Sequence, residues 1–250
     1  EEGKLLSSKL LSVSVENLRF LNSIHDFYPI LSEICSLSKG SSIVYHLSTQ
    51  SPLYKLISSL ATLKGLKLSP LHYKSDGSII VSDIEKQLKR NTILLCVEAI
   101  SIKEGIQHPL PQICKAARKK KVPILVDGSY LLGQETINLK KSKFDFFISN
   151  TQYYIGGPQG TYLSYISDKH RKYLDYIHED NAFLKMGLSA AISYHLKQNQ
   201  KYRQMSPGAA GFSWLFLIFS EFSCPSSHVF STESDQTVLP FLLSVTPSVL

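Results

Sequence analysis

The segment "ILVDGSYLLG" at residues 124–133 decides the fold class. Three apolar residues run into a carboxylate and a glycine, a pattern typical of a buried strand that ends at a turn. Upstream, "LPQICKAARKKK" (110–121) has the period of a helix, and "TILLCVEAI" (92–100) is another apolar run of strand length. Short apolar strands alternating with helices predict an α/β fold, a mainly parallel sheet with helices on both faces.

The same alternation covers about residues 40–165. One predicted helix, 51–65, has Ser51 as its cap and ends at Gly65, and a second, 81–90, has Ser82 as its cap. A long helical pattern covers 171–203. The other predicted strands are 41–47, 66–73, 123–129, 144–149 and 161–167.

Composition places the chain among globular proteins. It has 250 residues, of which 43% are hydrophobic and 19% charged, as in ordinary folded domains. The net charge of +7 is uneven, because every Lys and Arg precedes Ser206. We therefore expect one domain over 1–204 and an atypical, poorly ordered Ser- and Pro-rich tail over 205–250.

Charge and cysteine usage narrow the function classes. The run "RKKK" at 118–121 is expected to be the solvated end of a helix, since no aromatic residues alternate with the cations as a nucleic-acid site would require. The most apolar stretch, 212–219, is too short to span a membrane. The four cysteines form no C-x-x-C pair and no metal-binding spacing, which indicates a reducing, cytoplasmic setting.

Asp127 is the first candidate functional residue. In a parallel sheet, ligands bind beyond the carboxyl ends of the strands, and Asp127 is predicted at such an end. A buried carboxylate there needs a hydrogen-bonding or cationic partner. The partner could be the next turn, which Asp127 would cap, or a ligand such as a protonated pyridine nitrogen. The local pattern leaves both interpretations open.

A longer segment resembles a known family. "PILVDGSYLLGQETINLKKSKFDFFISNTQYYIGGPQGTYLSYIS" (123–167) resembles the core of the class V aminotransferase family, which includes cysteine desulfurases and isopenicillin N epimerase-like proteins. The resemblance extends, more weakly, over roughly 20–200. It implies the large domain of a fold like that of aspartate aminotransferase, N-terminally incomplete and built by 1–204. It also implies pyridoxal 5'-phosphate, amino-acid-type substrates and, in many members, a homodimer.

The resemblance also implies roles for individual residues around the cofactor. Asp127 matches the carboxylate at the pyridine nitrogen, and Tyr130 falls near the ring oxygen. Ser23 falls in the phosphate loop at a helix N-terminus, although Ile24 replaces a usual Thr. The remaining cofactor-binding candidates are Ser101, toward the ring oxygen, and Asn150 and Gln152, toward the phosphate.

Tyr153 departs most from the family pattern. It falls where the family has the lysine that binds the cofactor covalently, and a phenol cannot form an imine. The nearest lysines, Lys140, Lys141 and Lys143, precede the strand predicted at 144–149 and should lie at the far end of the sheet. The resemblance therefore implies an enzyme-like protein with impaired catalysis. A non-catalytic scaffold of the same fold and an unrelated nucleotide- or nucleic-acid-binding domain are the alternatives.

Two further features favour structural interpretations. "IGGPQG" (155–160) is not a dinucleotide-binding G-x-G-x-x-G motif, and we expect a turn between two strands there. The eight histidines are scattered, and each is expected to be structural or exposed.

Overall fold

The structure is a computed structural model that describes residues 2–36, 40–135, 137–177, 187 and 189–198. The predicted tail, 205–250, lies outside the described residues. Seven strands form one sheet: β1 (Leu18–Leu21), β2 (Ser42–His46), β3 (Lys67–Pro70), β4 (Thr92–Glu98), β5 (Ile124–Asp127), β6 (Phe146–Asn150) and β7 (Tyr162–Ile166). In the part of the chain described up to residue 177, the α-helices are α1 (Glu2–Leu11), α2 (Tyr28–Ile34), α3 (Pro52–Lys64), α4 (Val81–Gln87), α5 (Leu110–Lys119) and α6 (Leu139–Ser142).

The sheet is mainly parallel, as the sequence predicts. Its strand order is β1-β7-β6-β5-β4-β2-β3. The five consecutive strands β3, β2, β4, β5 and β6 run parallel, whereas β7 pairs antiparallel with both of its neighbours, β6 and β1. The carboxyl ends of β2, β4, β5 and β6 therefore meet at one edge of the sheet, and β7 begins at that edge.

Helices cover both faces of the sheet. Consecutive residues of β5 point to opposite sides, so Leu125 joins one apolar cluster and Val126 the other. The Leu125 cluster includes side chains of α2 and α3, and the Val126 cluster includes side chains of α1, α4 and α5. Burial on both faces explains why the central strands are apolar almost without interruption.

The capping residues predicted from the sequence are correct for α3 but not for α4. The Ser51 hydroxyl accepts a hydrogen bond from the Tyr54 N–H at 3.0 Å, and Gly65 ends α3 with a φ of 64°. The predicted cap Ser82 is wrong, because α4 begins at Val81 and its N-cap is Ile80, without a side-chain bond. An N-cap must precede the first helical residue, and Ser82 is already inside the helix.

The other sequence predictions can be placed on the same framework. Residues 118–121 are exposed at the end of α5, and Lys119 forms a 2.7 Å ion pair with Glu85. The thiols of Cys35, Cys96 and Cys114 are free and buried. "IGGPQG" lies in the connection between β6 and β7, as expected.

Three features differ from the expectations or were not anticipated. Helix α1 and strand β1 have no counterpart among the elements predicted from the sequence. The helical pattern predicted over 171–203 is not continuous, because the chain forms a 3₁₀ helix over Asp168–Tyr176 and Ile177 is extended. A helical segment follows at 189–198. None of the helices within the described ranges combines the length and apolar character that crossing a membrane requires.

Candidate functional site

The site lies at the carboxyl edge of the sheet, where three strands end in polar residues. Glu98 ends β4 and is paired in register with Asp127 at the end of β5. Asn150 ends β6, the next strand along the sheet, and is paired with Tyr162 at the start of β7. These residues are up to 64 positions apart in the sequence. They meet because the parallel strands β4, β5 and β6 end at this edge and the antiparallel β7 begins there.

Asp127 caps the turn that follows it, which confirms one of the two interpretations of its sequence pattern, and it also lines a pocket. The other interpretation, a ligand as its partner, stays a prediction. Its Oδ1 accepts a hydrogen bond from the Ser129 N–H at 2.9 Å. Burial raises the pKa of Asp127, and the bonds from the Ser129 N–H and hydroxyl only partly counter this effect. No ion pair found among the described residues involves Asp127.

The residues after Asp127 fix the orientation of its carboxylate. The Ser129 hydroxyl oxygen accepts a hydrogen bond from the Asn150 N–H at 2.9 Å, which ties this turn to the end of β6. Gly128 lies against Phe147, and a Cβ at position 128 would come within 2.2 Å of that ring. A side chain there would displace the turn, because the Phe147 ring is fully buried and has no room to retreat.

Tyr130 and Tyr153 form an aromatic wall beside Asp127. Their ring centroids are 4.8 Å apart and the ring planes differ by 17°, which is a stacked arrangement. Burial, followed by a hydrogen bond to Tyr153, raises the pKa of the Tyr130 hydroxyl. The Tyr153 side chain is 45% exposed. It therefore closes one side of the site while remaining accessible to a ligand.

These side chains line an open pocket with a cavity volume of about 170 Å³. This volume is below the roughly 300–1,000 Å³ of most small-molecule sites, so the pocket is a shallow one. The pocket combines one carboxylate, several hydroxyl and amide groups, and flat aromatic surfaces. It is lined by Gln50, Ser51, Pro52, Leu53, Ile102, Asp127, Ser129, Tyr130, Asn150, Tyr153 and Tyr162.

The pocket brings four of the candidate residues together: Asp127, Tyr130, Asn150 and Tyr153. The other three candidates do not line it. Ser23 caps the 3₁₀ helix Ile24–Phe27, where its hydroxyl accepts the His25 N–H at 3.1 Å. The Ser101 hydroxyl donates to the carboxylate of Glu104, and Gln152 is exposed. For all seven candidates, the assignment to a cofactor stays a prediction.

Sequence reasoning did not single out three residues that matter at this edge. Tyr162 lines the pocket because β7 is antiparallel, which no local pattern shows. Ile102 lines the pocket from the loop after β4 and has no distinctive pattern. Glu98 does have a signal, since it is the one charge in the apolar run 92–100.

Comparison with known proteins identifies the family. The aminotransferase class-V family model matches residues 30–180, more than half of the chain. The chain belongs to the aminotransferase class-V family. Among curated relatives, the mitochondrial cysteine desulfurase of Candida albicans is 28% identical over 112 residues, which cover 45% of this chain and 23% of that protein.

Solved structures of other proteins share the fold. The apo cysteine desulfurase of Thermococcus onnurineus NA1 superposes with a TM-score of 0.66 at 20% identity, covering 78% of this chain and 56% of that one. A lysine-to-alanine variant of C-DES, with glycine covalently linked to its PLP cofactor, superposes with a TM-score of 0.66 at 15% identity, covering 79% of this chain and 60% of that one. The match to curated relatives spans about a quarter of their length, and the match to these structures under two thirds.

Proposed function

We propose that this chain binds pyridoxal 5'-phosphate without a covalent bond and that the family's covalent chemistry is impaired in it. The observation that carries the proposal is the position of Tyr153. It lies three residues after β6, in the same pocket as Asp127. The family resemblance implies that the lysine that binds the cofactor would stand at this position. A phenol cannot replace an amine in imine formation or accept a proton as an amine does.

The pyridine end of the cofactor fits the residues present. Asp127 is 8% exposed and has no cation among its described partners, and a protonated ring nitrogen would supply that cation. When bound, the cofactor would contribute a ring that withdraws electrons from an attached amino acid. The role of Asp127 would be to hold the proton on the ring nitrogen.

The walls of the pocket suit a flat ring held by contact alone. The stacked pair of Tyr130 and Tyr153 offers an aromatic surface next to Asp127, and stacking of this kind stabilises planar ligands. The C-DES variant supports the idea, because a protein of similar fold in which a lysine is replaced by alanine still holds PLP, with glycine covalently linked to it.

The proposal extends to the substrate class and the assembly of the family. Amino acids would be the substrates of any residual lyase, desulfurase, epimerase or transaminase reaction, and a cytoplasmic homodimer would be the working form. Tyr153 also favours a second candidate function, a non-catalytic scaffold in which the pocket serves a partner or the fold itself.

A cofactor titration tests the proposal. Purified protein is titrated with pyridoxal 5'-phosphate, followed by visible absorption, and then treated with borohydride. We expect the native chain to bind reversibly and to retain no cofactor after reduction, whereas Tyr153→Lys should gain a borohydride-reducible adduct. Gln159→Lys adds a lysine in the same exposed loop outside the pocket and serves as the matched control.

Each outcome separates the candidates. A reducible adduct in the native chain would mean that another lysine has taken over the role, and the proposal of impaired chemistry would be wrong. Failure of both the native chain and Tyr153→Lys to bind would leave the scaffold function. Loss of binding in Asp127→Asn, with the fold intact by circular dichroism, would assign the ring nitrogen to Asp127.

A further inference from the structure

Glu98 is a buried carboxylate that the cofactor pocket itself does not use. Its side chain is 3% exposed and it ends β4, next to Asp127 in the sheet register. It does not line the pocket. Burying a carboxylate among apolar strands is costly unless hydrogen bonds compensate, so the contacts of Glu98 indicate what it stabilises.

Two loops of the chain donate to this carboxylate. The backbone N–H of Ser48, just after β2, donates to Oε1. The backbone N–H of Ile102, in the loop after β4, donates to Oε2 at 3.2 Å. One side chain therefore joins two loops that begin on neighbouring strands and are 54 residues apart.

Both loops form walls of the pocket. On the β2 side, the Ser48 hydroxyl oxygen accepts the Gln50 N–H at 3.3 Å, and its carbonyl accepts the Ser51 N–H at 3.0 Å. Ser51 in turn caps α3 through the Tyr54 N–H. On the β4 side, Ile102 lines the pocket directly. The Glu98 carboxylate is thus hydrogen-bonded to both walls, although Glu98 itself does not line the pocket.

We propose that Glu98 is a positioning residue whose ionised carboxylate holds the loop after β2 and the loop after β4 together and so sets the width of the pocket. The ligand part of this inference rests on the proposed cofactor binding, whereas the part concerning the loops does not. Protonation removes the charge that strengthens both bonds, and the two walls are then held less firmly.

The surroundings of Glu98 put its titration close to neutral pH. Burial raises the pKa of Glu98 to about 7, the two backbone N–H bonds oppose this shift, and the acidic Asp127 and Glu104 reinforce it. Asp127 acts from β5 and Glu104 from the loop after β4, while the loop after β2 contributes the backbone of Ser48. The carboxylate is ionised above about pH 7, so the loops should loosen as the pH falls through that value.

The backbone amide protons of Ser48 and Ile102 provide a direct test. They are followed by NMR in the native chain between pH 5.5 and 8.5. Both resonances are expected to titrate together with a midpoint near 7, because an amide that donates to a carboxylate senses its charge. Glu98→Gln should abolish both transitions, and Glu33→Gln, an exposed position on α2, should leave them unchanged.

Cofactor affinity supplies the second measurement. We compare the affinity of Glu98→Gln for the cofactor with that of the native chain at pH 6 and at pH 8. The ratio of the two affinities, variant to native, is expected to fall by up to about tenfold from pH 6 to pH 8, a factor that corresponds to a shift of one pKa unit. Flat amide resonances through pH 7 in the native chain would overturn the proposal even if the variant failed to fold. Amides that titrate in a chain that binds no cofactor would overturn the proposed function and leave the role of Glu98 supported.

Discussion

Asp127 and Asp145 are buried carboxylates at opposite edges of the same sheet. They are 8% and 9% exposed, so burial does not distinguish them. Asp127 ends β5, whereas Asp145 immediately precedes β6. Asp145 accepts the Ile124 N–H at 3.0 Å, is hydrogen-bonded to His170 Nε2 at 3.0 Å and lies 3.6 Å from the Lys169 ammonium. Asp127 accepts from Ser129, and no cation of the described chain pairs with it.

The pKa values of the two carboxylates are consequently shifted in opposite directions. At Asp145, burial alone would raise the pKa, but the bonds from His170 and the Ile124 N–H and the charge of Lys169 lower it. At Asp127, burial prevails and the pKa is raised. A carboxylate whose partners are supplied by the chain stabilises the fold, whereas one without a cation is suited to receive a ligand.

Replacing Asp145 should have the largest effect. Asp145→Ala is expected to lower the free energy of unfolding by about 4 kcal/mol, because it leaves His170 and the Ile124 N–H without their buried acceptor. Urea unfolding followed by circular dichroism measures the loss. Asp127→Ala, the matched variant, should cost only about 1 kcal/mol for its bond to Ser129. If both variants lost the same free energy of unfolding, Asp145 would not be more important to the fold than Asp127, and the distinction between them would be wrong.

The pH dependence of stability should be the next largest effect. Glu98 shares the carboxyl edge with Asp127, and its pKa rises from 4.5 to about 7 on folding. The folded state therefore holds its proton more tightly, and this contribution to stability is complete below pH 4.5 and lost as the pH rises through 7. The loss amounts to about 3 kcal/mol.

Urea unfolding at pH 5 and pH 8 measures this change in the free energy of unfolding, and the change should be smaller in Glu98→Gln. Asp145 acts in the opposite sense, because its lowered pKa contributes stability above the unfolded pKa that is lost as the pH falls. The prediction would be wrong if the native chain were more stable at pH 8 than at pH 5 and Glu98→Gln showed the same dependence of stability on pH. The ionised carboxylate of Glu98 would then not destabilise the fold.

Lys169 should have the smallest effect, and it sharpens the account of Asp145. Its side chain is 71% exposed, so solvent screens its attraction to Asp145. Lys169→Met is expected to change the free energy of unfolding by less than about 0.5 kcal/mol, measured by the same urea unfolding. A loss above about 1 kcal/mol would show that the cation, rather than the buried hydrogen bonds, gives Asp145 its role.

Part of the candidate site follows from a local pattern, and part from the family resemblance. Asp127 is predictable because three apolar residues precede it. Tyr130, Asn150 and Tyr153 were implied only by the resemblance, and they lie at or just after strand ends that a parallel sheet brings to one edge. Tyr162 is not predictable in this way, since it enters the pocket from the start of the antiparallel β7. Glu98 has a visible charge in an apolar run, but its partners at Ser48 and Ile102 lie on two separate loops.

The sequence by itself determined the alternation of strands and helices, the two-sided burial of the central strands and the bounds of α3. These depend on apolar periodicity and on capping residues such as Ser51 and Gly65, which act within a few positions of the chain. The tertiary structure alone decided that β1 and β7 complete the sheet, and that Asp145 is paired while Asp127 is not. Such pairings join residues up to about 150 positions apart, and their energies depend on which groups packing brings together rather than on any local period.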